Sequence, residues 1–485
     1  MGSQGVATPI SIFSYISQNF FVLIENFLIT LKPAFIALLF SLIIATTFSV
    51  LGLMVNCLKS IGDVIGLVFY VIPLVALGPI ISALLEPDVS VIVVAVITVV
   101  FPTYLIISSK LSSAISFRKQ LFDLYETNSL ARIQSVILPF YLLAVSTALR
   151  IGIPWAFLGA MLGEYFGAQK GMGVFFLGSL SQGSAVPIWS AALFVIFWIG
   201  ILTLIASFIE RKVAVYLDET EKYDDALGEP TTSSLVNFII CLMSVVLVWF
   251  LVAKFLPEKN FVLKGPLEIA AKIPQQLHTH IIPIAKLILL TFLWAVIGGV
   301  VSSLVVVFWI FSGRSSLADG ILSAIFLPLQ YVPIIAAIPL IGLVFGRGIE
   351  GTIFITMLAT IYPIYVAVDS AVKKAPTSIN QLNHLFGNGT KLNNFRLKKY
   401  WFFAGVLRGL RAGFPRAILG VMLAEVLLTA QGIGWGIFVA RGKLDYWYIW
   451  YVVCIILILS LILDRALILI EERFNKEFVY PIETP

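Results

Sequence analysis

Charged side chains are scarce in this chain, and those inside apolar runs are the residues whose chemistry asks for an explanation. Arg150 and Glu164 sit in one such run, and Arg411 and Glu425 sit in another 261 residues later. Arg408 and Arg416 lie in the second run as well. A charge at mid-membrane costs roughly 3 kcal/mol or more unless it is paired or wetted, so it faces a cavity, a partner or the membrane edge. Arg150, Glu164, Arg411, Arg416 and Glu425 are therefore pathway or gating candidates, together with Pro73, Pro79, Pro333 and Pro339. On one helix Arg150 and Glu164 share nearly the same face but stand about 21 Å apart by rise, so they cannot pair with each other. Arg150 is expected near the cytoplasmic end, where snorkelling or an acidic partner suffices. Glu164 is expected near the outer mouth, in a structural or gating role or in contact with substrate. Arg416 stands where the first run has Trp155, so it breaks the symmetry with a cation that can attract an anion.

The elements that hold these residues are copies. Leu149–Glu164 and Leu410–Glu425 agree at ten of sixteen positions, including Arg150/Arg411, Pro154/Pro415 and Glu164/Glu425; chance would give about one match. A Gly-x-Gly follows each, at Gly171/Gly173 and Gly432/Gly434. Pro73 and Pro79 match Pro333 and Pro339 at an offset of 260, and Pro102 with Tyr104 matches Pro363 with Tyr365 at 261. Proline inside a membrane helix removes a backbone donor and bends it, so the same bends are expected twice. Such a repeat sets the architecture.

Composition gives the setting. Of 485 residues 60% are apolar and 12% charged, with a mean hydropathy of +1.01; a soluble domain carries about 25% charged residues. The chain reads as an all-α polytopic membrane protein. The net charge of +6 reads as topology signal rather than affinity for nucleic acid. Cys57, Cys241 and Cys454 lie in apolar runs without CxxC spacing, and His278, His280 and His384 are too few and too dispersed for a metal site. No basic region ahead of a compact apolar core marks a cleaved leader.

Apolar runs near 31–56, 65–85, 90–109, 138–165 and 187–209 are each long enough to cross about 30 Å of hydrocarbon. Residues 1–28 mix Phe, Tyr and Ile with Ser, Gln and Asn and read as an interfacial segment. The first unit spans 29–212. The stretch 210–234, rich in Asp, Glu and Lys, reads as a cytoplasmic linker, with the domain boundary placed at 213–234. The second unit spans 235–475, with an extra leading span at 235–255 and an amphipathic piece at 257–282, before a tail at 476–485. This predicts five plus six transmembrane helices. Lys and Arg cluster in 110–137 and 373–399, which places both loops in the cytoplasm and gives both units one orientation. Parallel repeats meet around an axis along the membrane normal, as a pseudo-two-fold dimer with a pathway between them.

Those two loops are long, basic and helix-compatible. They contain Glu126, Thr127, Asn128, Ser129 and Leu130 in the first unit and Gly387, Asn388, Gly389 and Thr390 in the second. A solvated loop obeying the positive-inside bias would also be basic, but the repetition reads as a short helix that docks on a cytoplasmic partner. No Gly-x-x-x-x-Gly-Lys-Ser/Thr occurs, and no catalytic triad signature is recognisable. The chain reads as no enzyme, and any ATP and Mg would be used in partner subunits.

Leu138-Pro139, Leu149-Arg150, Glu164 and Gly171-x-Gly173, with Gly387, Gly409-Leu410-Arg411, Ala424-Glu425 and Gly432-x-Gly434, resemble ATP-binding cassette importer permeases of the nitrate/sulfonate/taurine type. The resemblance covers about 30–210 and 235–475. It implies two type I importer permease units fused in tandem in a bacterial cytoplasmic (inner) membrane. It further implies two ATPase subunits docking on the coupling loops, a solute-binding protein outside, and alternating access of a small solute such as nitrate, a sulfonate or a vitamin precursor. The coupling Gly is Glu126 in the first unit and Gly387 in the second, whereas Leu-Pro survives only at Pro139, which implies two unlike docking surfaces. The rival reading is a secondary transporter or channel working without ATPases, which would not need the basic loops.

Overall fold

Lipid offers the backbone no hydrogen-bond partners, so long apolar runs close their own bonds as helices. The structure, a computed structural model, describes residues 7–55, 59, 62–63, 74–124, 138–216, 235–255, 259, 261–276, 279, 281–312, 334–346, 348–373, 375 and 391–474. These residues contain no strand. A short helix, α1 (Pro9–Gln18), precedes α2 (Phe20–Met54), α3 (Leu74–Leu84), α4 (Pro87–Leu124), α5 (Leu138–Gly167), α6 (Met172–Ser181) and α7 (Ala185–Tyr216). The second half has α8 (Leu235–Phe255), α9 (Pro266–Gln276), α10 (Ile282–Ser312), α11 (Ile334–Phe345), α12 (Ile349–Lys373), α13 (Lys391–Ala424), α14 (Gly432–Gly442) and α15 (Tyr446–Phe474). Local signals set several ends. Thr8 accepts the Ser11 N–H with Pro9 at the first helical position, and Asp445 accepts the Tyr448 N–H at the start of α15.

Eight helices among the described residues are long and apolar enough to cross a membrane: α2, α4, α5, α7, α10, α12, α13 and α15. The expected spans 65–85 and 321–345 are represented by α3 and α11, of 11 and 12 residues. The earlier parts of both expected spans, within 64–73 and 313–333, lie outside the described set. Two boundaries differ from expectation. Phe20–Leu28, expected apart from the first span, is continuous with it in the single helix α2. Helix α7 continues to Tyr216, so Glu210 is helical rather than part of a linker.

The eight long helices fall into two shells. In α4, α5, α12 and α13 the most apolar window is 67% buried, whereas in α2, α7, α10 and α15 the figure is 28–39%. The outer four present Phe40, Phe197, Leu289, Phe308 and Ile462 to the lipid side. The inner pairs, α4 with α5 and α12 with α13, make the most intimate contacts of the fold, and small residues allow it. A Cβ at Gly159 would lie 2.7 Å from Ala95 Cα, and one at Gly163 2.8 Å from Val91 Cα. At the other end of the matching pair, a Cβ at Gly405 would lie 2.6 Å from Val368 Cα and one at Gly409 2.7 Å from Ile364 Cα.

The two halves exchange their short helices. Besides its own neighbours α4 and α5, α3 packs on α13, α14 and α15; α11 packs on α5, α6 and α7. One apolar core consequently runs through both halves. The extra helix α8 is fastened to α15 through stacked Trp249 and Trp450, 4.9 Å apart and 12° from parallel. Their indole N–H groups donate to the Lys264 and Val262 carbonyls at 3.0 and 2.8 Å. Just beyond, the ammonium groups of Lys264 and Lys272 sit 4.7 and 4.0 Å from the Trp447 ring centre. Burial lowers the Lys264 pKa; Glu268 opposes that shift and Lys272 adds to it.

Replacing Gly159 or Gly409 by Leu is expected to destabilise the protein by about 1–3 kcal/mol or more, since the obstacle is backbone and cannot step aside. Thermal unfolding in detergent checks this: an unchanged midpoint for both variants would contradict the packing described.

Candidate functional site

The signature glutamates do not face open water. Glu164 is 2% exposed, and its Oε2 accepts the Gly173 N–H at 2.8 Å. Glu425 is 3% exposed, and its Oε2 accepts the Gly434 N–H at 2.8 Å. Behind each stands a threonine at the same 261-residue offset. Thr30 accepts the Met172 N–H at 2.9 Å; Thr291 accepts the Ile433 N–H at 3.5 Å and donates to Glu425 Oε1 at 2.6 Å. The carboxylate and hydroxyl thus take up the first amides of α6 and α14, which a helix cannot satisfy internally. A negative charge at a helix N-terminus is also favoured by the backbone dipoles.

The Gly-x-Gly pairs make this geometry possible. Gly171 and Gly432 have φ of +123° and +80°, in the region that disfavours side chains, and a Cβ there would run into the carboxyl group of Glu164 or Glu425. A Cβ at Gly173 or Gly434 would collide with the carbonyl oxygen of Met161 or Met422. The motif is therefore a reversal that folds the short helix back onto the helix before it. In the second half the reversal starts with a five-residue π turn, Glu425–Thr429, and Ala430 at φ +49°.

The arginines form a second repeated arrangement on the same helices, 14 residues before each glutamate. Arg150 Nε meets Glu210 Oε2 at 2.5 Å, with both side chains largely buried. Thr147 donates to the other Glu210 oxygen at 2.6 Å, and Lys110 donates to Thr147 at 2.6 Å. In the second half Arg411 reaches Asp464 at 3.0 Å and Glu471 at 3.8 Å, and Arg408 reaches Glu471 at 3.1 Å. Glu471 lies 261 residues after Glu210, and Arg408 lies 261 after Thr147. Each clamp ties the signature helix to the last helix of its half. A third repeated contact joins Ser41 to the Val96 carbonyl at 3.3 Å and Ser302 to the Met357 carbonyl at 3.2 Å.

Trp155 and Arg416 occupy equivalent positions in the two copies, and they touch. The guanidinium carbon of Arg416 lies 4.7 Å from the Trp155 ring centre. Each follows a helix-interior proline, Pro154 or Pro415, where the backbone donor to the preceding turn is missing. Nearby, Arg441 of α14 donates to the Phe166 carbonyl at the end of α5, another contact between the halves.

Of the residues singled out from sequence, Arg150, Glu164, Arg411, Arg416 and Glu425 thus lie on the paired helices α5 and α13 and the turn that follows α13. Pro79 and Pro339 are buried inside α3 and α11. Pro73, Pro333, Glu126, Thr127, Asn128, Ser129, Leu130, Gly387, Asn388, Gly389 and Thr390 lie outside the described residues. The reading from sequence missed Thr30, Thr291, Glu210, Asp464 and Glu471; testing every polar residue at the 261 offset would have found four of these five. A cleft of about 560 Å³ opens beside Glu164, lined also by Lys32, Glu86, Asp88 and Lys170. Its charges are not repeated: the positions 261 residues after Lys32, Asp88 and Lys170 hold Leu293, Ile349 and Gln431.

The chain is 28% identical over 120 residues to the riboflavin transport system permease protein of Chloroflexus aurantiacus, covering 24% of this chain and 43% of that one. It is 29% identical over 106 residues to the formylaminopyrimidine transport permease protein of Halalkalibacterium halodurans, covering 22% and 42%. A Methanocaldococcus jannaschii protein described as an ABC transporter permease is 29% identical over 151 residues, covering 30% and 55%. The chain is similar to ABC transport permeases. The matches span about half the length of these curated relatives. No family model and no solved structure matches. With eight helices able to cross and this likeness, the chain is a multi-pass all-α protein of the bacterial inner membrane.

Arg150→Met leaves Glu210 buried beside an apolar chain and is expected to cost about 3–5 kcal/mol, as when one partner of a buried ion pair is removed. Arg150→Met/Glu210→Met together should recover most of that loss. Unfolding midpoints of both single variants and the double variant measure the coupling; additive losses would show that the clamp does not link the two helices.

Proposed function

We propose that this chain is the transmembrane permease of an ATP-driven importer, built as two permease units in one polypeptide. The observation that carries the reading is the recurrence of four contacts at one sequence offset: serine to carbonyl, threonine to amide, glutamate to glycine amide, and arginine to glutamate. Two halves with the same internal bonds, joined by exchanged short helices, are suited to moving as bodies about a common axis. The similarity to permeases supports the same reading.

ATP would be hydrolysed in two partner ATPase subunits docked on the segments 125–137 and 376–390, because α4 runs on to Leu124 and α13 starts at Lys391, and their closure would push both units. The clamps at Arg150 and Arg411 would carry that push along α5 and α13 to α7 and α15. A solute-binding protein would deliver a small solute from outside. Among the solutes implied by the resemblance, a vitamin-related compound is favoured, because two of the similar permeases are named for riboflavin and formylaminopyrimidine.

Reconstituted with its ATPase subunits in lipid, the chain is expected to raise MgATP hydrolysis when the solute-binding protein is added. Replacing either residues 125–137 or 376–390 by a Gly/Ser linker should abolish that rise without unfolding the membrane helices. Solute flux by the chain alone down a gradient, with no response of ATPase to its presence, would sink the proposal.

A further inference from the structure

Two positions related by a two-fold axis can touch only where that axis passes between them. Trp155 and Arg416 are such positions, 261 residues apart, and they stack at 4.7 Å. They therefore mark where the axis between the halves runs through the protein. They also lie at mid-helix: Trp155 is 17 residues from the start of the 30-residue α5, five residues after Arg150 of the clamp and nine before Glu164.

A guanidinium within an apolar helix is costly unless it is paired or wetted. Arg408 and Arg411 on the same helix are matched by carboxylates. Arg416 stacks on Trp155 instead, and among the described residues its buried Nε has no hydrogen-bond partner. A methionine or leucine would close the same gap at less cost. An aromatic face and an underused guanidinium at the meeting point of two halves form a recognition pair, since each supplies what the other lacks: stacking and charge.

We propose that Trp155 and Arg416 contact the transported solute, and that this solute is a planar aromatic compound carrying an anionic group. The ring replaces the guanidinium on the indole face, and the anion takes the freed N–H donors of Arg416. In the present conformation the two side chains occupy each other, so the pair also closes the axis until solute arrives. This rests on the permease reading above and names the chemistry of its cargo.

The test uses the full chain in lipid nanodiscs and three small probes: benzoate, which has both features; benzamide, which lacks the charge; and cyclohexanecarboxylate, which lacks the aromatic ring. Ligand-observed NMR titration is expected to show benzoate binding about tenfold or more tighter than either. Arg416→Gln should erase the gap between benzoate and benzamide, and Trp155→Leu the gap between benzoate and cyclohexanecarboxylate. Should Arg416→Gln fail to fold, Arg416→Trp, which copies the other half, serves in its place. Equal or undetectable binding of benzoate and benzamide to the unmodified protein, or a gap that survives in the Arg416 variant, overturns the proposal. The ATPase measurement is independent: ATPase stimulation without probe discrimination removes this inference alone, and discrimination without stimulation removes the importer reading alone.

Discussion

A carboxylate sealed inside a membrane protein has to be met by donors, and in this chain the backbone supplies them. Glu164 and Glu425 each take the amide of the glycine nine residues on, at 2.8 Å in both halves. That single requirement explains most of the signature. The first glycine makes the turn, the second lets the returning backbone reach the helix it left, and a threonine from the first long helix of the half takes the next orphan amide. Without the turn, the short helix would not be folded back, and the last long helix of each half would start in the wrong place. The glutamate is best understood as the pin of a hairpin rather than as a group waiting for cargo.

Symmetry in this molecule is kept in the contacts that hold the scaffold and lost at the pair on the axis and in the cleft beside Glu164. The serine, threonine, glutamate and arginine contacts recur with the same partners. The second arginine clamp is even enlarged, with Asp464 and Arg408 added to the Arg411–Glu471 pair. By contrast the axis pair is tryptophan on one side and arginine on the other. The cleft beside Glu164 has four charged neighbours in one half, three of which have polar or apolar counterparts in the other. One polypeptide carrying both halves can specialise each of them separately, which an assembly of two identical chains cannot do.

Much of this was legible in the sequence, because a membrane restricts the alternatives. The apolar runs announced α2, α4, α5, α7, α10, α12, α13 and α15, and the repeat announced that α5 and α13 matter most. What could not be read was of two kinds. Short helices such as α6 and α14 have no length signature. Partners across helices were also hidden: Glu210 looked like the first residue of a charged linker, since nothing local shows that Arg150 waits for it sixty residues earlier.

The exchange of α3 and α11 bears on how the protein is made. Helix α3 leaves the ribosome early, yet α13, α14 and α15, the helices it packs against, are among the last to be synthesised. Until then its buried face, with Leu74, Val75 and Ile80, must be kept from other company by lipid or by the insertion machinery. A ribosome that stalls after the first half would release a product with an open seam, so quality control of this protein has a specific surface to recognise.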